Sequence, residues 1–203
     1  ALKGQFCRKF LTRGLGISGV SSPSIPFFIE DCVFDGCLRA LSDANPGTTW
    51  YLIGVEIKNC TSNPITMASA MLLYLWACDI HDNTGNAISN SAGATIFCMH
   101  TIFDTNTIGI DEAAGAAAVN VTIHGCIFVD NTGDGVKFAA NSSAITFEHT
   151  NNIYWGNGGW GLENLDQQIS VEAGTRINRN NAYGPNTSGA YTGISAGIGD
   201  VAL

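Results

Sequence analysis

The segment Ile80-His81-Asp82-Asn83-Thr84-Gly85-Asn86-Ala87-Ile88 indicates the fold, because a similar segment returns later as Phe128-Val129-Asp130-Asn131-Thr132-Gly133-Asp134-Gly135-Val136. An apolar residue opens each phrase of this kind. Seven such anchors follow one another at intervals of 23, 23, 23, 25, 26 and 23 residues: Phe34, Ile57, Ile80, Phe103, Phe128, Tyr154 and Ile177. A fixed period in this range is typical of a stacked repeat architecture, in which neighbouring turns bury one another's apolar face.

Three short segments within each period predict three β-strands per turn. The first alternates apolar and polar residues, as at Cys78-Asp79-Ile80-His81. A second follows the turn, as at Ile88-Ser89-Asn90, and a third comes later, as at Thr95 to Cys98. No helical pattern lies between them. The period therefore predicts an all-β coil of about seven turns, in which three parallel sheets surround a filled core.

Asparagine recurs at one point of the repeat and predicts a sharp corner. Asparagine tolerates left-handed backbone, and stacked amides can hydrogen bond from turn to turn. Two turns have cysteine at this point, Cys37 and Cys60. The other five turns predict a structural ladder: Asn83, Asn106, Asn131, Asn157 and Asn180.

With this corner and phrases such as Asp130-Asn131-Thr132-Gly133-Asp134-Gly135-Val136, the chain resembles right-handed parallel β-helix proteins of the pectate-lyase-like superfamily. The ending, from Asn181-Ala182-Tyr183 to Leu203, resembles the segment that closes β-helix domains in many bacteriophage and bacterial surface proteins. We therefore expect a cap over 1–26 (with Phe6, Phe10 and Leu11), a β-helix over 27–183 and a closing segment over 184–203. The last strand is expected to continue beyond the chain or to be covered by a partner.

Charge is sparse and unevenly placed. Charged residues make up 13% of the 203 residues, and the net charge is −8. Four of the nine basic residues lie in the first 13 positions: Lys3, Arg8, Lys9 and Arg13. The remaining chain holds five basic residues against 17 acidic ones, which predicts that neither nucleic acid nor an anionic membrane is a partner.

The seven cysteines do not form the pattern of a disulfide framework. Cys32, Cys78 and Cys126 share the inward side of the anchors, so they are expected to be small buried hydrophobes. Cys37 and Cys60 share a register on adjacent turns, and they are the one pair that we expect could form a disulfide.

The outward positions beside the anchors give the densest ionisable cluster. Lys58, His81 and Asp104 should form a column, with Glu56 and Asp79 beside it. Carboxylates one turn apart would be near the separation of retaining glycosidases, and a carboxylate cluster could hold Ca²⁺. The resemblance to pectate lyases implies outward carboxylates that bind calcium and Lys58 as the proton acceptor. The competing interpretation is a solvated strand face whose alternating charges offset one another.

Other candidates carry weaker signals. Asp111 and Glu112 are interpreted as carboxylates of a solvated loop. Three histidines at similar points of the repeat could suggest a metal site, but their registers differ, which favours surface or corner positions: His100, His124 and His149. Trp155 and Trp160 are predicted to contact a ligand such as a glycan, with aromatic packing at a bend or subunit contact as the alternative.

The upper outward positions of the first strands are unusually apolar, which predicts cover by a loop or another subunit in a trimer: Ile102, Ile127, Val129, Ile153 and Trp155. Motifs of polygalacturonase-like β-helices are missing. The sequence therefore predicts a non-catalytic structural β-helix of a virion or extracellular assembly (phage spike, fibre or capsid decoration), with a possible glycan contact and no cofactor. The alternative is a polysaccharide lyase or glycoside hydrolase of the same superfamily, with Ca²⁺ if it is a lyase.

Overall fold

The structure is a computed structural model that describes residues 2–3, 15–17, 26–113, 119–138, 145–164, 176–192 and 197–203. These residues form 24 strands and no helix. The strands belong to three parallel sheets of eight strands each. This confirms the all-β coil, with about six turns rather than the seven expected.

In chain order the strands are β1 Leu2–Lys3, β2 Leu15–Ile17, β3 Pro26–Glu30, β4 Val33–Asp35, β5 Leu41–Asp43, β6 Thr49–Ile53, β7 Glu56–Lys58, β8 Ile65–Met67, β9 Leu72–Trp76, β10 Asp79–His81, β11 Ile88–Asn90, β12 Thr95–Met99, β13 Ile102–Asp104, β14 Ile110–Glu112, β15 Val119–His124, β16 Ile127–Val129, β17 Val136–Phe138, β18 Ile145–Thr150, β19 Ile153–Trp155, β20 Trp160–Asn164, β21 Arg176–Arg179, β22 Ala182–Tyr183, β23 Gly189–Thr192 and β24 Val201–Ala202. Sheet A has the order β1-β3-β6-β9-β12-β15-β18-β21. Sheet B has the order β2-β5-β8-β11-β14-β17-β20-β23, and sheet C has the order β4-β7-β10-β13-β16-β19-β22-β24. Each turn runs from sheet A to sheet C to sheet B.

The anchors form one interior row along sheet C, each buried and paired with the next: Phe34, Ile57, Ile80, Phe103, Phe128, Tyr154 and Tyr183. The seventh anchor is Tyr183 and not Ile177, so that part of the prediction is wrong. Tyr154 pairs with Tyr183, whereas Ile177 lies in sheet A opposite Glu148. The turn after Tyr154 is longer than the others, and insertions at corners leave strand registers unchanged.

Aromatic side chains fill the upper part of the core. The ring centroids of Phe103 and Phe128 lie 4.8 Å apart, and those of Phe128 and Tyr154 lie 5.0 Å apart. Tyr183 continues the stack 5.0 Å from Tyr154. Each fully buried ring contributes roughly 1.5–3 kcal/mol by leaving water, so this row is a principal source of stability.

Left-handed residues flank every strand of sheet C from β4 to β19 and produce the corners. They precede the strand at Asp31, Gly54, Ala77, His100, Gly125 and Asn151, and they follow it at Gly36, Asn59, Asp82, Thr105, Asp130 and Gly156. The ladder asparagines are the residues that come next, and they are not left-handed themselves. The left-handed backbone that the sequence analysis expected at these asparagines is therefore adopted by the residue directly before each of them.

The sheets extend into both terminal segments, because β1 and β2 pair with β3 and β5, and β23 and β24 pair with β20 and β22. The cap residues Phe6, Phe10 and Leu11 lie outside the described residues. Six cysteines are described, and all are buried and outside any disulfide with one another, Cys37 and Cys60 included. The possible Cys37–Cys60 disulfide is therefore not formed, and burial raises the pKa of Cys60 to about 12.

Candidate functional site

The asparagine ladder is a continuous chain of buried hydrogen bonds. Asn131 Oδ1 accepts from the backbone N of Asn106 at 3.0 Å and from its Nδ2 at 3.3 Å. Asn131 Nδ2 donates to the carbonyl of Phe103 at 3.1 Å and to Oδ1 of Asn157 at 2.9 Å. Each side-chain amide thus hydrogen bonds to the turns below and above it, so its oxygen and nitrogen are not available to bind a ligand.

The last member of this ladder is Asn186, three residues after Tyr183. Asn157 Nδ2 donates to Asn186 Oδ1 at 2.8 Å. Asn180, which the sequence placed in the ladder, is exposed and has a φ of 55°. It occupies the left-handed corner before β22, so its predicted place is wrong for the same reason as that of Ile177.

A second ladder, which the sequence did not predict, runs along the opposite corner of sheet C. Asn152 Oδ1 accepts from the backbone N of Cys126 at 2.8 Å, and its Nδ2 donates to the carbonyl of Ile123 at 3.1 Å. The same Nδ2 also donates to Asn181 Oδ1 at 3.0 Å. Asp200 continues the column and accepts from the backbone N of Asn181 at 2.9 Å. Both corners of sheet C are therefore held by buried side chains.

The ionisable cluster forms on the outer face of sheet C in the expected register. Asp79 pairs with Glu56, and His81 pairs with Lys58, on the turn below. Asp104 pairs with His81 on the turn above. Strand pairing places these neighbours about 4.8 Å apart along the coil, so the five side chains share one surface.

Within this cluster the opposite charges pair with one another. Glu56 Oε1 accepts from Lys58 Nζ at 2.5 Å and lies 3.2 Å from His81 Nε2. His81 Nδ1 lies 2.9 Å from Asp82 Oδ2. Glu56 therefore bridges both basic side chains of the cluster, and His81 is held on both ring nitrogens.

The protonation equilibria follow these contacts. The hydrogen bond from Lys58 holds the pKa of Glu56 below its ordinary value, against the opposing effect of burial. Burial lowers the pKa of His81, but its contacts with Asp82 and Glu56 outweigh this, so the net shift is upward. Burial raises the pKa of Asp79. The pairing therefore favours the charged forms of Glu56 and His81.

This arrangement is poorly suited to the chemistry that the resemblance implied. A general base must have a lone pair that faces the substrate, and Lys58 Nζ instead donates to Glu56 Oε1. Calcium prefers several oxygen ligands, but an oxygen of Glu56 already lies against two basic side chains. In the described parts of the chain, no group of three or more His, Cys, Asp or Glu is placed to hold a metal ion.

The two predicted ligand contacts lie on different sheets. Trp155 is in sheet C, two strands above Asp104, and its side chain is 43% exposed. A Cβ on Gly184 would come within 2.2 Å of the Trp155 ring, and one on Gly189 would come within 2.7 Å of Trp160. Both indoles therefore pack against glycine backbone of the next turn.

The upper part of sheet C presents the apolar stripe that the sequence predicted. Ile102 is 36% exposed and Ile153 is 38% exposed, and Ile127 and Val129 are half-buried between them. Ile102, Ile153 and Trp155 are therefore open to solvent over at least a third of their surface in the single chain.

One surface feature among the described residues was missed by the sequence analysis. It is a groove of about 310 Å³ on the outer face of sheet A, hereafter the aromatic groove, with almost wholly apolar walls: Tyr51, Leu52, Ile53, Tyr74, Leu75, Trp76, Phe97 and Met99. A signal existed, because outward aromatic residues recur at the coil period of 23 residues: Phe28, Tyr51, Tyr74 and Phe97.

Two buried groups correct earlier interpretations. Glu112 belongs to β14 and is fully buried, so it is not a solvated loop residue. Neither of its carboxyl oxygens has a hydrogen bond of good geometry among the described residues, and burial raises its pKa to about 9 against the opposing effect of the nearby Asn90 amide. His149 is also fully buried and stacks on Phe147 with ring centroids 4.5 Å apart, so it is neither a surface nor a corner residue.

Sheet B carries a second ionisable cluster that was not predicted. Lys137 Nζ lies 3.2 Å from Glu163 Oε2, and Asp134 Oδ1 accepts from the backbone N of Trp160 at 2.6 Å. Burial and the neighbouring Glu163 raise the pKa of Asp134 to about 6. Asp111 lies one strand below Lys137. In this cluster, as in the one on sheet C, a lysine pairs with a glutamate.

Comparison with known proteins identifies the repeat. The family model described as "Right handed beta helix region" matches residues 13–182. No curated protein and no solved structure matches the chain. No helix in the described ranges is long and apolar enough to cross a bilayer.

Proposed function

Because the chain belongs to the right-handed beta helix family, we propose that it is a non-catalytic structural module of a virion or extracellular assembly, of the phage spike, fibre or capsid-decoration type. A coil of stacked strands resists local opening, since each turn is hydrogen bonded to its neighbours on both sides. Such a body positions what is attached to it and provides long flat faces for neighbouring subunits.

The observation that carries this proposal is the internal pairing of the cluster on sheet C. Glu56 lies within 3.2 Å of both Lys58 and His81, so the two basic groups of the cluster are engaged with one of its acids rather than free to act on a substrate. Substrate chemistry requires a base or nucleophile that is poised for reaction. A network of opposite charges on a solvated face instead contributes modestly to stability and solubility.

The apolar stripe of sheet C supports assembly into a homotrimer or with other subunits. Ile153 and Trp155 are large, outward and more than a third exposed. Side-by-side packing would remove these side chains from water, which favours association. Because both indoles already pack on glycine backbone, a glycan contact would use the outer parts of Trp155 and Trp160.

The alternative function is cleavage of a polysaccharide by this same cluster. The feature that favours it is the pairing of Glu56 with Asp79 on adjacent strands, which places their backbones near the separation of retaining glycosidase carboxylates. Within this alternative, Glu56, Asp79, His81 and Asp104 would be the acidic and basic groups, and Lys58 would accept the proton of a lyase reaction.

One assay separates the two functions. The protein is incubated with a panel of uronic-acid and neutral polysaccharides, with and without Ca²⁺, and followed by ultraviolet absorbance of unsaturated products and by reducing ends. We expect no product above that of the matched Lys58→Met variant. Product that appears with the wild-type chain and is lost in both Lys58→Met and Glu56→Gln would overturn the structural proposal.

A further inference from the structure

The aromatic groove differs from the other outer faces in its lack of charge. The outward residues of β6, β9 and β12 are all uncharged: Thr49, Tyr51, Ile53, Leu72, Tyr74, Trp76, Thr95, Phe97 and Met99. The same turns carry the ionisable cluster on sheet C. An exposed apolar face of this kind marks an interaction surface.

We propose that the aromatic groove is a self-association surface that a second copy of this chain occupies through an isologous contact. In such a contact the same patch of each copy meets its counterpart across a two-fold axis. The inference rests on the proposed structural role and deepens it by naming one face and its partner.

Charge favours a second copy at this face. The chain has a net charge of −8, so two copies repel one another where their acidic faces approach. At the aromatic groove neither copy brings a charged side chain from β6, β9 or β12 into the contact. Self-association there therefore avoids the cost of burying like charges.

The geometry of the rings disfavours a sugar as the occupant. Tyr51 and Tyr74 stack with their centroids 4.7 Å apart, and Tyr74 and Phe97 stack at 4.6 Å. Their faces are turned toward one another, and a sugar stacks on faces. The apolar walls also offer few polar groups to replace the water that a saccharide would lose.

Trp76 provides the anchor for a protein partner. Its side chain is 51% exposed, and the edge-on ring of His100, with centroids 5.6 Å apart, supports one side. Ile53, one strand below Trp76, is 36% exposed. Tryptophan at the centre of a contact carries a large share of the binding energy. Across a two-fold axis, Trp76 of each copy would lie in the aromatic groove of the other copy.

The size of the face predicts a weak contact. Three five-residue strands, β6, β9 and β12, give a flat footprint of roughly 240 Å² per copy from strand rise and spacing. This is below the footprint of a standard stable interface, about 800 Å² per partner. We therefore expect a dimer that dissociates on dilution and forms at high protein concentration.

Sedimentation velocity over a broad concentration series tests the contact. The wild-type chain should move from monomer to dimer as concentration rises. Trp76→Glu and Met99→Glu should not form this dimer at any concentration, because each places an acid inside the contact. Ile153→Glu, the matched control on sheet C, should dimerise as the wild type does. Circular dichroism and the Tm establish that each variant is folded, which we expect because the three side chains point outward.

Two outcomes would overturn the inference. One is a wild-type chain that is monomeric at all concentrations. The other is self-association that Ile153→Glu abolishes and that both folded groove variants retain. The second outcome would leave the structural role standing and would assign assembly to sheet C. The polysaccharide assay tests the structural role, and sedimentation velocity tests self-association through the aromatic groove. Failure of one proposal can therefore be distinguished from failure of the other.

Discussion

Two columns of polar side chains run along the same edge of sheet C, and they differ in burial. The ladder through Asn106 and Asn131 is almost completely buried and bonds mainly to backbone and to neighbouring amides. The column through Lys58 and His81 is between a fifth and a third exposed and bonds to other charged side chains. The same stacking builds both columns. Stacking thus sets the geometry of both columns, whereas burial sets how much each hydrogen bond contributes to stability.

Replacing Asn131 with Ala should give the largest effect on this comparison. The change leaves the backbone N of Asn106 and the carbonyl of Phe103 buried with their Asn131 partners removed. Each orphaned group costs about 1–3 kcal/mol, so we expect a loss of roughly 3–5 kcal/mol in the free energy of unfolding. Chemical denaturation followed by tryptophan fluorescence measures the loss.

The matched control is Asn180→Gly. Asn180 is exposed and has a left-handed φ that glycine adopts readily, so its replacement should cost less than about 1 kcal/mol. A loss for Asn180→Gly as large as that for Asn131→Ala would contradict the assignment of the ladder to Asn186.

The sequence predicted the regular part of the coil because the period, the alternation and the corner asparagines all report the same register. It failed at the last turn, where the interval from Tyr154 to Tyr183 exceeds the period and Ile177 fitted the spacing by chance. A better signal was the phrase Asn151-Asn152-Ile153-Tyr154, which returns as Asn180-Asn181-Ala182-Tyr183. Repeated residue types identify a corner more reliably than a fixed count, since insertions change the count without moving the strand.

The charged column was predictable, and the aromatic groove was overlooked, for a related reason. Register alone places Glu56 beside Asp79, so a period suffices to find that cluster. The groove also follows the period through Tyr51 and Tyr74, but apolar residues in a strand suggest a core, and their outward side is apparent only when the inward residues are known. Ion pairs and pKa shifts depend on side-chain distances that no spacing supplies.

Replacing Glu112 with Gln should show the second-largest effect and extends the comparison to a buried carboxyl group. Burial raises the pKa of Glu112 to about 9, against an ordinary value of 4.5. The neutral form is therefore favoured in the fold. The contribution of the protonated Glu112 side chain to folding stability is complete below pH 4.5 and is lost as the pH rises through about 9. Glutamine cannot ionise, so at pH 8 we expect Glu112→Gln to be more stable than the wild type by roughly 1–3 kcal/mol.

Thermal unfolding of both chains at pH 4 and pH 8 measures this difference, which should nearly vanish at pH 4. Glu148→Gln is the control, because Glu148 is an outward residue of sheet A and its change should alter stability by no more than about 0.5 kcal/mol. A difference between wild type and Glu112→Gln that is the same at both pH values would contradict the burial of an uncompensated carboxyl group.

The smallest effect belongs to the exposed column, through Asp82→Asn and Glu56→Gln. Both changes should cost less than about 1 kcal/mol, as is typical of exposed ion pairs. Their informative readout is the pKa of His81, which Asp82 and Glu56 raise. A raised pKa means that the contribution of charged His81 is present below its ordinary pKa of 6.5 and is lost as the pH rises through the folded value.

Titration of the His81 ring protons by NMR should therefore show a lower pKa in both variants. The decrease should be larger for Asp82→Asn, since the contact with Asp82 is the stronger of the two raising hydrogen bonds, and asparagine retains the left-handed backbone at this corner. His124 in the same spectra is an internal control, because its Nδ1 contacts Thr150 and neither variant touches it. If the pKa of His81 is unchanged in both variants, the acids and bases of sheet C are not paired as described. The distinction between a self-neutralised column outside and a hydrogen-bonded ladder inside would then fail.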